Sequence, residues 1–160
     1  MNLATDEEQA AYRAALDSAV RSLGQREHSR KELERKLQRK GHDDVLIARV
    51  MGYLWEHDLQ SDTRFAESFV RSRIRRCFGP IKIRQELSSR GVLKEDLEGE
   101  LEEQLTRSSE FWMNLAEEGL AKKYGAPPDS REAWATQARY LARRGFPSDL
   151  IYKVLGSQSD

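Results

Sequence analysis

The apolar positions of this chain recur every three or four residues along most of its length, the period of a helix buried on one side. At about 100° per residue, Phe65, Ala66, Phe69, Val70 and Cys77 share one side of a helix, while Arg64, Arg71 and Arg75 line up on the other. No alternating run is long enough to make a strand. Amphipathic segments of this kind cover roughly 8–23, 63–78 and 106–124.

Each amphipathic segment precedes a second helix-like stretch that closes on a basic residue and a glycine: KELERKLQRKG at Gly41, IKIRQELSSRG at Gly91 and ATQARYLARRG at Gly145. Aligned on the glycine, Leu37, Leu87 and Leu141 coincide, and so do Ile47, Leu97 and Ile151 beyond it. The glycines are 50 and 54 residues apart. The repeat predicts an all-α fold of three tandem three-helix units packed side by side: residues 1–62, 63–105 and 106–156, with a frayed tail at 157–160. Ser29 with Glu32 has the spacing of a capping box, and Pro80 suits a first helical position. The glycines supply left-handed residues that end helices, and Lys40, Arg90 and Arg144 put positive charge at the C-terminal end of each dipole, a structural role.

With 160 residues, 38% hydrophobic and 34% charged, the chain suits thin helical layers sharing a continuous core better than separate large domains. Its single cysteine, Cys77, closes no internal disulfide, and no secretory signal or long apolar run is present. A cytoplasmic location without membrane contact is the expectation. The formal net charge of zero hides blocks: residues 26–40 carry net +4, 64–84 net +6, 121–144 net +4 and 85–120 net −7. Such blocks act locally, because screening limits their reach to about 10 Å.

So much positive charge with little acid nearby points to an anionic partner rather than to a merely solvated face. The outward row Arg64, Arg71 and Arg75 is the first candidate, with Lys82 and Arg84 behind it. In the first unit Lys31, Arg35 and Arg39 repeat every four residues, facing away from Leu33 and Leu37. Arg139 and Arg143 occupy the matching positions of the third unit, whereas the second has Gln85 and Ser89 there. Arg73 falls on the apolar side, where it must snorkel or pair with a carboxylate.

Catalytic chemistry is missing. No glycine-rich phosphate loop, HExxH or CxxC occurs, and no carboxylate pair stands out from solvated helix faces. His28, His42 and His57 are scattered among charged neighbours and read as surface residues, and Cys77 reads as buried filler. Trp55, Trp112 and Trp134 read as anchors between helices. No cofactor, no metal and no enzyme activity are expected.

The stretch REHSRKELERKLQRKG, followed by SDTRFAESFVRSRIRRCFGPIKIRQELSSRGV and, in the third unit, ARYLARRGFPSDLIYKVL, resembles the bacterial regulatory family RecX. The likeness covers roughly residues 12–156. It implies an elongated, curved array of three-helix units that binds in the groove of the RecA filament on single-stranded DNA. It also implies that such a protein hinders filament extension, promotes disassembly and lowers ATPase, strand-exchange and coprotease activities. The anionic partner of the basic rows is then either the acidic surface of the filament or the DNA phosphates within it. The acidic 85–120 segment speaks against a purely electrostatic grip on DNA. Two other readings fit the residues: a helix-turn-helix-like module binding single- or double-stranded DNA alone, and a helical adaptor for unrelated proteins. A monomer is expected.

Overall fold

The computed structural model describes residues 5–156, so the tail expected at 157–160 lies outside the described residues. Among them are nine α-helices and no strand. The helices are α1 (Asp6–Gln25), α2 (Arg30–Arg39), α3 (Asp44–Glu56), α4 (Asp62–Arg75), α5 (Pro80–Ser89), α6 (Gly99–Leu105), α7 (Ser109–Tyr124), α8 (Arg131–Arg144) and α9 (Ser148–Leu155), with a 3-10 turn at Lys94–Asp96.

Local chemistry sets these ends. Thr5 with Glu8 and Ser29 with Glu32 form reciprocal capping boxes at α1 and α2, each satisfying two orphan donors. Asp43, Ser108 and Ser130 each accept a backbone N–H at the start of α3, α7 and α8. Pro80 opens α5, and Gly41, Gly91 and Gly145 take φ of 88°, 85° and 96° just past α2, α5 and α8.

The chain divides into two compact units, one holding the chain to Ser68 with Arg90–Val92, the other holding Phe69–Ser89 and the chain from Leu93 on. In the first, α1, α2 and α3 enclose Ala15, Ala19, Leu33, Leu37, Val50 and Leu54, with Tyr12, Leu16 and Tyr53 packed against them. In the second, α7, α8 and α9 pack on one another and bury Trp112, Leu115, Leu141, Leu150 and Ile151. The same unit buries Val70, Cys77 and Ile83.

The repeat is less regular than the aligned glycines suggest. Ile47 and Ile151 sit in the first turns of α3 and α9, but Leu97 precedes the helix that follows Gly91. That helix, α6, has only seven residues. Glu95, Asp96, Glu98, Glu100, Glu102 and Glu103 crowd like charge there, and Gly99 weakens helix propensity, so the segment spends its first residues in a 3-10 turn.

Candidate binding surfaces

Exposure and pairing sort the candidate cations. In the first unit Arg64 is committed within the protein: it donates to Asp58 Oδ1 at 2.9 Å and to the Asp58 carbonyl at 2.7 Å, and lies 3.4 Å from Glu27. The bond to Asp58 also holds its guanidinium protonated more firmly than usual. Lys31 is half-buried, with Gly91 against its stem, while Arg35 and Arg39 stand exposed on α2. On the other side of the same helix, Lys36 donates to Ser22 Oγ at 2.5 Å and Lys40 to Ser18 Oγ at 2.6 Å. Arg90 reaches Glu32 at 3.9 Å. Lys40 and Arg90 thus have the structural role that their place at helix ends suggested.

In the second unit Arg73, the misfit on the apolar side of α4, solves its problem by pairing. Its Nε meets Glu86 Oε2 at 2.6 Å, and its guanidinium lies 4.6 Å from the Phe69 ring centre. Arg84 is held by Glu102 at 3.2 Å. Arg71, Arg75 and Arg76 remain exposed and enter no ion pair among the described residues. Of the outward row read from the sequence, the second unit therefore keeps Arg71 and Arg75 available.

The structure also brings together residues that no spacing rule connects. Arg144 donates to the carbonyl of Arg76, 68 positions away, and its guanidinium stacks on Phe78 at 3.8 Å. Gly79 N–H donates to the Arg144 carbonyl at 2.7 Å and Ile81 N–H to the Gly145 carbonyl at 3.0 Å. The C-terminal end of α8 thus caps the N-terminal end of α5, carbonyls meeting orphan donors. The junction places Lys82, half-buried, against Gly145. Arg139, one turn back on α8, is exposed and donates to Thr136 Oγ1 at 3.4 Å. Arg76, part of the basic 64–84 block but not of the outward row, lies just past the last turn of α4.

The remaining chemistry-bearing residues are mostly structural. Cys77 is buried, and burial together with Glu118 pushes its thiol pKa up despite Lys122 3.9 Å away, the opposite of an activated nucleophile. His57 is exposed and stacks on Tyr53, but His28 and His42 are half-buried rather than surface residues. For His28 the cause is the α1–α2 turn, where Nδ1 bonds the Arg26 carbonyl at 2.9 Å and burial lowers the pKa. Trp112 is buried and Trp134 half-buried, its indole N–H on the Gly156 carbonyl at 3.0 Å. Trp55 corrects the sequence expectation. It is 79% exposed, because it falls on the side of α3 opposite Val50 and Leu54.

The signature of the first three-helix domain of RecX matches residues 15–54, that of the second 61–99 and that of the third 113–155. The chain belongs to the RecX family. "Regulatory protein RecX" of Halorhodospira halophila is 43% identical over 89% of this chain and 86% of its own length. The protein of the same name from Pseudomonas putida is 36% identical over 99% and 97%. The crystal structure of RecX from Lactobacillus salivarius superposes with a TM-score of 0.68 at 25% identity, over 92% of this chain and 96% of that one. The three-helix architecture of RecX is thus the architecture of this chain. No helix among the described residues is long and apolar enough to cross a membrane.

Proposed function

We propose that this RecX-family protein binds RecA filaments on single-stranded DNA and restrains their recombinase, ATPase and coprotease activities, acting in the cytoplasm as a monomer with no catalysis of its own. The observation that carries the reading is the exposed end of α4 in a chain of this family: Arg71, Arg75 and Arg76 stand in solvent without an internal carboxylate. Guanidiniums without an ion pair among the described residues, on α4 and just past its end, suit an acidic protein surface or phosphates, since they give up no internal ion pair on binding. The relatives' shared name, regulatory protein RecX, supports the same reading. Arg139 and Arg143 are further candidates within the second unit, and Arg39 is a separate candidate on the first. Arg64 and Arg84 are weaker contributors, because each must first leave a carboxylate.

The test is the RecA ATPase on circular single-stranded DNA with this protein titrated in. Progressive inhibition by the wild type, weakened about tenfold or more by Arg71→Glu with Arg75→Glu, is the expected outcome. Inhibition untouched by the charge reversal moves the contact away from α4. No inhibition at saturating protein removes the proposal and favours a DNA-binding module acting alone.

A further inference from the structure

The first unit carries a second surface whose character is opposite to that of the basic rows. The outer side of α3 presents Val45, Ala48, Gly52 and Trp55 at helical spacing, and all four are exposed, Val45 by 81%. The opposite side of the same helix supplies Ile47, Val50, Met51 and Leu54 to the core. The helix is therefore apolar on both sides, although only one is covered.

Along this stripe lies an open groove of about 530 Å³ whose lining includes Ala48, Met51, Gly52 and Trp55 with Arg30, Asp58 and Asp62. Gly52 is in mid-helix, where glycine lowers stability, and no backbone demand calls for it, since its φ is not positive. A Cβ there would meet nothing within 4 Å. Internal packing does not explain a glycine at this place, and an incoming group that uses the depth does.

Charge indicates what that group is. Residues 43–58 hold four acids, Asp43, Asp44, Glu56 and Asp58, against one base, Arg49, and Arg49 lies over the Tyr12 ring at 4.0 Å. The Asp58 side chain is 85% exposed although Arg64 meets its Oδ1 at 2.9 Å, Asp62 Oδ1 accepts from the Arg30 backbone N–H at 2.8 Å, and the Arg30 guanidinium is tied to Glu34 at 2.7 Å. A phosphate-rich ligand meets repulsion here, whereas a cationic one does not. We infer that the Trp55 face of α3 is a docking site for a protein segment presenting a bulky apolar side chain flanked by lysine or arginine, which enters the groove over Gly52 and packs on the indole. The inference is independent of the function proposed for the basic rows.

The experiment is fluorescence anisotropy of a labelled synthetic helical peptide with a leucine stripe between lysines, titrated with the full chain, against an analogue with glutamates for lysines. The lysine peptide should bind, lose affinity as salt rises, and bind about tenfold or more weakly to Trp55→Ala. Gly52→Leu is the sharper variant: it fills the groove with a better helix former, so the melting temperature rises while peptide affinity falls. Equal affinity of wild type and both variants overturns the inference, as does equal binding of the glutamate peptide. It is also overturned if a single-stranded oligonucleotide, or a second copy of the chain seen by sedimentation, is the occupant lost on Trp55→Ala.

Discussion

Gly41 in the first unit and Gly145 in the second end their helices in the same left-handed conformation, at φ 88° and 96°. A Cβ on Gly41 would meet nothing within 4 Å, whereas one on Gly145 would overlap the Lys82 backbone. Trp55 and Trp112 differ as much, one 79% exposed and the other 4%. So do two arginines of α4: the partners Arg64 and Asp58 are 37% and 85% exposed, while Arg73 and Glu86 are both 19%. Place in the helical repeat decides what the backbone does at each position. What the side chain is worth depends on what the rest of its own unit puts against it.

The tryptophans offer the largest contrast. Trp112→Ala should cost about 3 to 5 kcal/mol in urea unfolding, through lost burial and the cavity left among α7 neighbours. Trp55→Ala should stay within about 0.5 kcal/mol, as a surface substitution does. Comparable losses would mean that the outer side of α3 is covered after all. The glycines come next. Gly145→Ala combines left-handed strain of about 1 to 2 kcal/mol with overpacking of similar size, so about 3 kcal/mol is expected, against about 1 kcal/mol for Gly41→Ala. Gly79→Ala should side with Gly145→Ala, since its Cβ would lie 2.5 Å from the Gly145 carbonyl. If Gly41→Ala proved as damaging, the junction of α5 and α8 would not be what distinguishes the two.

The helices were legible in sequence because caps, glycine stops and apolar period are local signals, and Ser29, Pro80 and Gly145 each mark the end that the sequence predicts. Arg73 was legible too, since a cation on an apolar face has few solutions. The capture of Arg64 by Asp58 was not, because the chain turns between the two and a helical wheel does not describe a turn. Nor was the meeting of Arg144 with Arg76, a contact between residues with no common period. The exposure of Trp55 was hidden by composition: a helix apolar on both sides reads as buried on both.

The arginines sharpen the comparison at smaller scale. Arg73→Ala takes the 2.6 Å ion pair from half-buried Glu86 and removes a stacked guanidinium, for an expected loss of about 2 kcal/mol. Arg64→Ala should cost less than about 1 kcal/mol, given an exposed partner. A double-mutant cycle with Glu86→Ala should recover most of the first loss as coupling, and a cycle with Asp58→Ala little of the second.

The smallest effect expected is a pH dependence peculiar to the first unit. Burial, chiefly, holds the His28 pKa below its ordinary 6.5, with Arg26 and Lys36 acting in the same direction and the bond to the Arg26 carbonyl and the charge of Glu32 against it. The folded state therefore binds a proton less readily than the unfolded chain, and the stability tied to neutral His28 is present above 6.5 and lost as pH falls towards the lower folded value. Glu32 follows at more acid pH. Burial alone would raise its pKa, but bonds from Arg26 and the Ser29 N–H outweigh burial and set it below the ordinary 4.5, so its contribution fades only below that value. Melting temperatures should drop between about pH 7.5 and about pH 5.5 in the wild type and change less in His28→Gln. An equal drop in both would take His28 out of the account and leave acid sensitivity to the carboxylates of the capping box.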